Sequence, residues 1–462
     1  MYPNLFNVIA TFSSQSISDD RKVVLLPLVN YIQEKINADE AIRLHFICTH
    51  NSRRSQFSQI WAQTAADYFD LGVNKSKSGD YIGALTAFST AITMNPENAQ
   101  CYYNRGLTKQ VLKDHRGAIL DFDRTIDLSP QNSMAYLYRG VSKSAQDDNR
   151  AALQDYNRAI ELADNDFQAY LQRGFTRIKL QDYRRAIQDF TKVIELNSDD
   201  AAKYQAYYSR GYCKAALEDY QGSIVDYTRS AEINPKRSQT FASRGFSRLK
   251  IQDFMGAIKD FDEAIKLSPE ETELFANRGF AKTKVDDFKG AILDYDKAIT
   301  LDPMNVQALY GRGFCYSRLG VQKNAIADLS KSIEINNTNI NAKIEYLGSM
   351  SKKTLDDLRN KVQENSKINE FSEERSEAFY SRGLAKFKSG DTKGAILDLN
   401  TSIELNPTYA EAHFLRGIVR SSIGLQKEAL LDCTNTIKIN PKYGEAFYVR
   451  GIIKYALGTN PS

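Results

Sequence analysis

The chain of 462 residues is poor in several features that would mark a particular kind of protein. It has 1 tryptophan, 10 prolines and 4 histidines, and its 61 lysines and arginines nearly balance its 57 acidic residues. Without an excess of positive charge, the chain gives no electrostatic case for nucleic acid binding. No stretch approaches about 18 uninterrupted apolar residues, and no basic segment precedes an apolar one at the start. We therefore expect a cytoplasmic protein without a nucleic acid or membrane partner.

Cysteine is also scarce, and its five occurrences are widely separated. They are Cys48, Cys101, Cys213, Cys315 and Cys433. No Cys-x-x-Cys pair is present, and a histidine lies near only the first of them. The sequence therefore predicts neither a disulfide framework nor a metal site, and it implies no cofactor. We expect at least four of the cysteines to be small buried hydrophobic residues.

What the chain does contain is an internal repeat, marked by glycines that recur with a fixed spacing. The spacing is 34 residues, apart from one step of 37 that a three-residue insertion near 201–203 explains and one step of 70 between Gly313 and Gly383. The glycines are Gly72, Gly106, Gly140, Gly174, Gly211, Gly245, Gly279, Gly313, Gly383, Gly417 and Gly451. Such a period indicates a stack of similar units, each too small to bury its apolar face alone.

Each unit has the pattern of two helices joined by a short turn rich in Gly and Asp. Tyr102, Leu107 and Val111 have helical spacing in one first helix, and Ile119, Phe122 and Ile126 have it in the following second helix. Proline ends most second helices, since it cannot continue a helix. Seven of the ten prolines hold this place: Pro96, Pro130, Pro235, Pro269, Pro303, Pro407 and Pro441.

This pattern resembles the tetratricopeptide repeat (TPR) family, in its period, its first-helix Gly, its second-helix Ala and its closing Pro. The resemblance implies an all-α superhelical solenoid over 65–462. We predict eight units over 65–339, a degenerate repeat or hinge over 340–375, and two units plus a terminal helix over 376–462. Segment 1–64 is expected to be a short α/β piece.

Aromatic residues recur at one place in each helix of the unit, and we predict that both sets pack in the core. The first-helix set includes Tyr68, Tyr102, Tyr136, Tyr170 and Tyr207. The second-helix set is Phe88, Phe122, Tyr156, Phe190, Tyr227, Phe261 and Tyr295.

Two charged series of opposite sign follow the same period. Arg precedes the repeated Gly, as at Arg105 and Arg139, and Asp precedes the second-helix aromatic residue, as at Asp121 and Asp155. We interpret the two series as a structural ladder of ion pairs along the stack. The alternative is a row of arginines that faces an acidic partner.

In the TPR family, first-helix side chains line the concave surface that holds a peptide. The resemblance implies that the residue after each repeated Gly is a candidate contact, and this place is apolar throughout the chain. Its aromatic members are Phe175, Tyr212, Phe246, Phe280 and Phe314. An apolar groove would suit an amphipathic helix or an extended segment of a protein partner.

The N-terminal segment carries a different motif. A helix is predicted from about Ser18 and a strand over 41–50, followed by a loop over 48–55 and a helix from Gln56. Cys followed six residues later by Arg, on a strand, loop and helix, is an arrangement that can hold an oxyanion. The segment resembles the active-site loop of low-molecular-weight protein tyrosine phosphatases and related arsenate reductases.

That resemblance implies Cys48 as nucleophile, Arg54 as oxyanion-binding residue, and Asn51 and Ser55 as residues that shape the loop. However, those enzymes need a further parallel sheet and a general-acid Asp, and here repeats begin at about Ala65. We therefore predict a non-catalytic scaffold that binds a protein or peptide segment on the concave repeat surface. The alternative is a Cys48-dependent phosphatase or arsenate-reductase-like enzyme, incomplete in this chain.

Overall fold

The computed structural model describes residues 51–196, 199–348 and 367–458, and all regular structure in these ranges is helical. Two compact units divide the chain, 1–128 and 129–462. None of the described helices is long and apolar enough to span a membrane.

The first compact unit, 1–128, contains four described helices, and each packs against the next along the chain. They are α1 (Asn51–Lys77), α2 (Tyr81–Met94), α3 (Ala99–Val111) and α4 (His115–Leu128).

The second compact unit, 129–462, contains helices α5 to α21 in its described part, and here too each helix packs against the next. Every first helix of a pair also contacts the first helix of the following pair. The helices are α5 (Ser133–Ala145), α6 (Asn149–Leu162), α7 (Phe167–Lys179), α8 (Tyr183–Glu195), α9 (Asp200–Ala216), α10 (Tyr220–Ile233), α11 (Ser238–Lys250), α12 (Phe254–Leu267), α13 (Thr272–Lys284), α14 (Phe288–Leu301), α15 (Val306–Arg318), α16 (Gln322–Gly348), α17 (Lys367–Lys388), α18 (Thr392–Leu405), α19 (Ala410–Ser422), α20 (Gln426–Ile439) and α21 (Gly444–Ala456).

The expectation of an all-α repeat array is confirmed over the described residues. The helix from Ser18 and the strand over 41–50 lie outside them. One local expectation was wrong. Residues 51–55 were predicted to lie in a loop, but they are helical, because α1 begins at Asn51 rather than at Gln56. Residues 51–55 therefore continue directly into the first repeat.

Two adjacent residues form the turn between the two helices of most units. The residue before the second helix of such a unit is an Asp whose side chain accepts a hydrogen bond from the backbone N–H three residues later, as Asp253 does from Gly256 at 3.0 Å. This interaction satisfies one of the N–H groups that a helix start leaves unpaired. The residue before that Asp has positive φ, as at Gly390 (92°) and Gln252 (63°).

The core of most complete units contains a contact between the repeated Gly and a large side chain of the second helix, while Gly417 meets Cys433 instead. A Cβ added at Gly174 would lie 2.7 Å from Cε1 of Phe190, so any larger residue would collide with the ring. The second-helix aromatic set is buried throughout, which confirms its predicted packing role. In two later units Leu329 and Leu399 take the same place.

The units on either side of 340–375 contact each other directly. The hydroxyls of Tyr310 and Ser381 lie 3.4 Å apart, and Arg382 Nη1 donates to Ser330 Oγ at 3.3 Å. Helix α16 continues past the usual length of a second helix, and α17 starts earlier than the usual first helix. The degenerate repeat or hinge stays a prediction, because 349–366 lie outside the described residues.

The glycine contact predicts opposite effects for one substitution at two equivalent places. Gly174→Ala should lower the free energy of unfolding, because overpacking a core costs about 1–3 kcal/mol. Gly451→Ala should raise it by about 0.5–1 kcal/mol, because Ala is the better helix former and a Cβ at Gly451 meets nothing within 4 Å. Urea denaturation followed by circular dichroism measures both. Equal effects at the two sites would contradict this account of the core.

Candidate partner-binding face

An ion-pair ladder holds the two helices of most units together, and α11 and α12 show its geometry. Arg244 Nη2 lies 2.6 Å from Asp260 Oδ1, and Arg248 Nη1 lies 2.7 Å from Asp260 Oδ2. Asp260 is buried, while the two arginines keep 14% and 23% of their side-chain surface exposed. One carboxylate is thus shared by two cations that stand one helical turn apart on the first helix.

The same pair recurs in nine units, always with 16 residues between Arg and Asp. The pairs are Arg105–Asp121, Arg139–Asp155, Arg173–Asp189, Arg210–Asp226, Arg244–Asp260, Arg278–Asp294, Arg312–Asp328, Arg382–Asp398 and Arg416–Asp432. The sequence-based ladder is therefore present. In eight of the nine, a Lys or Arg four residues after the Arg binds the same Asp.

The ladder also links successive units. The remaining guanidinium nitrogen reaches back to the second helix of the previous unit: Arg244 Nη1 donates to Thr228 Oγ1 at 3.1 Å, and Arg312 Nη1 lies 2.6 Å from Asp296 Oδ1. Because Arg presents a rigid fork of donors, one side chain can hold two helices at once. Burial nonetheless raises the pKa of Asp189, although Arg173 and Arg177 both favour its charged form.

The first-helix tyrosines are half-buried at the edge of the core. Tyr136 and Tyr170 pack against core clusters, which agrees with their predicted packing role. The ladder arginine also stands over these rings: the Arg173 guanidinium carbon lies 5.3 Å from the centre of the Tyr170 ring, and Arg139 lies 5.4 Å from Tyr136. Cation–π attraction therefore adds to apolar packing in this series, whereas the second-helix series is fully buried.

The five predicted partner-binding residues lie at one place on successive first helices, and they differ in exposure. Tyr212 and Phe246 expose 44% and 46% of their surface. Phe175, Phe280 and Phe314 are half-buried. The ring centre of Phe175 lies 5.6 Å from that of the core residue Phe190. Packing onto the neighbouring helix therefore accounts for part of this row, and Tyr212 and Phe246 offer its most accessible surface.

A row of cations that was not predicted from the sequence lies four residues after four of these candidates, while Tyr212 is followed at that place by Ala216. The Lys250 ammonium lies 5.3 Å from the centre of the Phe246 ring, and Lys284 lies 5.1 Å from Phe280. The exposed cations are Lys179, Lys250, Lys284 and Arg318, together with Lys388, which follows Leu384. The i, i+4 spacing was a usable signal, because such residues share a helix face. We call the two rows together the aromatic–cationic face.

Buried thiols form no comparable site. Cys101, Cys213, Cys315 and Cys433 are free and buried, which confirms their predicted role. Burial raises the pKa of Cys213 to about 12 and that of Cys433 to about 11, so both stay protonated near neutral pH. Among the described residues no cluster of three His, Cys, Asp or Glu is placed to hold a metal ion.

The predicted phosphatase-like residues cannot be assembled into a site. Cys48 lies outside the described residues, and Asn51, Arg54 and Ser55 are described only as part of the backbone of α1. Their catalytic roles stay a prediction.

Comparison with known families identifies repeat segments along much of the chain. A TPR repeat model matches 286–320 and 377–424. Two tetratricopeptide repeat models match 167–200, 204–237 and 306–339 in one case and 69–133 in the other.

Several solved structures are similar to this chain. YrrB, described as a TPR protein with an unusual peptide-binding site, is 20% identical; the match covers 41% of this chain and 97% of that one, with a TM-score of 0.39. The C-terminal part of a TPR repeat-containing protein from Cytophaga hutchinsonii is 17% identical, over 53% and 98% of the two chains, with a TM-score of 0.46. A tetratricopeptide repeat protein from Parabacteroides merdae is 20% identical, over 52% and 94%, with a TM-score of 0.40. No curated protein matches the chain.

The ladder predicts a large stability loss on neutralising one buried carboxylate. Asp260→Asn leaves Arg244 and Arg248 without their shared anion, and breaking a buried ion pair in this way should cost about 2–4 kcal/mol. Thermal or urea unfolding measures the loss.

The matched control is Glu263→Gln on the same helix, since Glu263 pairs only with Lys266 at the exposed surface. This change should hardly alter unfolding. If Asp260→Asn costs no more than Glu263→Gln, the ladder is not structural and the arginine row would instead be available to an acidic partner.

The raised thiol pKa values predict slow reaction of the described cysteines with a thiol reagent such as DTNB. In the native protein at neutral pH, Cys101, Cys213, Cys315 and Cys433 should react only as fast as the chain opens, because the thiolate is the reactive form. In urea all five cysteines should react rapidly. Rapid reaction in a Cys48→Ser variant would contradict the buried assignment.

Proposed function

Because the matched segments of this chain are tetratricopeptide repeats, we propose that it is a non-catalytic scaffold that binds a protein or peptide segment on the aromatic–cationic face. The observation that carries this proposal is the repeated pairing of an aromatic ring with a cation one helical turn away. Aromatic residues bury a large apolar area in a partner at little cost in conformational entropy. The cations beside them would favour a partner of negative charge.

The same geometry supports a particular kind of segment. Phe246 with Lys250 and Phe280 with Lys284 stand at equivalent places on α11 and α13, so their contacts repeat along the stack. An acidic segment with apolar or aromatic anchors would match both components of the face. Because the ladder holds α11 and α13 rigidly, little ordering of the scaffold would be needed on binding.

The Cys48-dependent enzyme remains the alternative, and it rests on sequence resemblance alone. The described contacts favour the scaffold, since every ionisable side chain of the ladder is already engaged in holding helices together.

Selection from a random peptide display library on the full chain tests the proposal. The enriched peptides should combine acidic with aromatic or large apolar residues. A Tyr212→Ser/Phe246→Ser variant should bind a selected peptide at least about tenfold more weakly, which corresponds to about 1.4 kcal/mol. A Lys250→Glu/Lys284→Glu variant should also lose affinity for the acidic peptides.

The control is Leu293→Ser, which changes an equally apolar but more exposed residue on the second helix α14. It should leave peptide binding unchanged. Selected peptides that bind the Tyr212→Ser/Phe246→Ser variant as well as the unchanged chain would exclude this face as the binding site.

A further inference from the structure

The last helix, α21, has the sequence of a first helix, yet no second helix covers it within the described residues. A Cβ added at Gly451 would meet nothing within 4 Å, whereas the glycine at this place in each complete unit meets a side chain of its second helix. Ala446 and Ile453 are buried on the side where α21 packs against α20. The opposite face of α21 is open.

That open face is apolar. Tyr448 exposes 72% of its surface and Tyr455 exposes 87%, and Phe447 and Ile452 between them are also exposed. Exposed apolar side chains that adjoin one another indicate an interaction surface.

The complete units show which side chains of a second helix pack on this face of a first helix. Arg278 and Gly279 of α13 receive Asp294 and Tyr295 of α14: Arg278 Nε donates to Asp294 Oδ2 at 2.9 Å, and the Tyr295 ring packs on Gly279. The preceding aromatic residue, Phe275, supports the guanidinium at 5.7 Å.

Helix α21 repeats this arrangement of first-helix residues, but no second helix with an Asp and an aromatic residue lies against it in the described part of the chain. Arg450 and Gly451 correspond to Arg278 and Gly279, and Lys454 holds the place of Lys282. The Arg450 guanidinium carbon lies 5.2 Å from the centre of the Phe447 ring, as the Arg278 guanidinium lies over the ring of Phe275. No carboxylate lies within ion-pair distance of Arg450 in the described part of the chain.

We propose that the open face of α21, formed by Phe447, Tyr448, Gly451, Ile452 and Tyr455, docks a helix of a partner protein that carries an Asp followed by an aromatic residue. The aromatic side chain packs on Gly451 and the carboxylate pairs with Arg450. An Ala three residues before the Asp, as at Ala291, allows the two helices to approach closely. Ile452 continues the apolar row of first-helix residues, but Arg450 and Gly451 do not belong to the aromatic–cationic face, and the proposal does not depend on that face.

The probe is a labelled synthetic peptide with the sequence of residues 286–303, which contains α14. Saturable binding to the full chain is expected, with a loss of about tenfold or more for peptides that carry Asp294→Asn or Tyr295→Ala. A Gly451→Leu variant of the chain fills the slot for the aromatic ring and should abolish binding. Leu431→Ser, a change of an exposed residue on α20, should not affect it.

Because a short isolated helix is marginally stable in water, a tethered version provides the second measurement. Residues 287–303 are joined directly after Gly458, whose φ of 69° matches the turn glycines of complete units. The tethered chain should melt at a higher temperature than the same chain with Asp294→Asn and Tyr295→Ala in the added segment.

Three results would overturn the proposal. The first is the absence of both peptide binding and tethered stabilisation. The second is peptide binding that Gly451→Leu leaves unchanged or that Tyr212→Ser/Phe246→Ser removes, since the peptide would then occupy another face. The third is self-association of the chain that Gly451→Leu dissolves while the peptide fails to bind, which would assign the surface to a second copy.

Discussion

The structure depends on the close contact between a glycine of most first helices and a large side chain of the second. At Gly106 an added Cβ would lie 2.8 Å from the Phe122 ring, so the helices can approach only because the glycine has no side chain. This approach brings the second-helix aromatic residue into full burial and leaves the rest of each unit to be covered by its neighbour. Stability therefore accumulates over units and the contacts between them.

The ion-pair ladder has a different role, because it sets how the helices are oriented rather than how much apolar surface they bury. Burial of a carboxylate is costly, as the raised pKa of Asp189 shows, and two cations offset that cost only in one geometry. Arg173 also reaches Asn157 of the previous unit at 2.7 Å, so the same side chain fixes the relation between units. Side chains on the adjoining helix surface, such as Tyr212 and Phe246, can then stay exposed on a rigid support.

Most of the array could be predicted from the sequence, because its determinants are local and repeated. The glycine period located the units, and Asp121 and Arg105 were assigned to one ladder from their spacing alone. The candidate face was predicted only in part. Tyr212 and Phe246 were predicted through family resemblance, but the cation beside Phe246, Lys250, was missed, since the i, i+4 pairing of an aromatic and a basic residue is present in only some of the units. The helical start at Asn51 was missed because the phosphatase-like motif implied a loop there.

The sequence by itself determined the period, the helix pairs, and which residues are small and which are large at each contact, since these follow from spacing along one or two helices. Only the tertiary structure decided that Tyr170 lies at the edge of the core under an arginine, and that the units flanking 340–375 meet directly through Tyr310 and Ser381. The physical reason is distance along the chain. Residues 71 positions apart come together through the stacking of whole units, and no local pattern specifies which unit stacks on which.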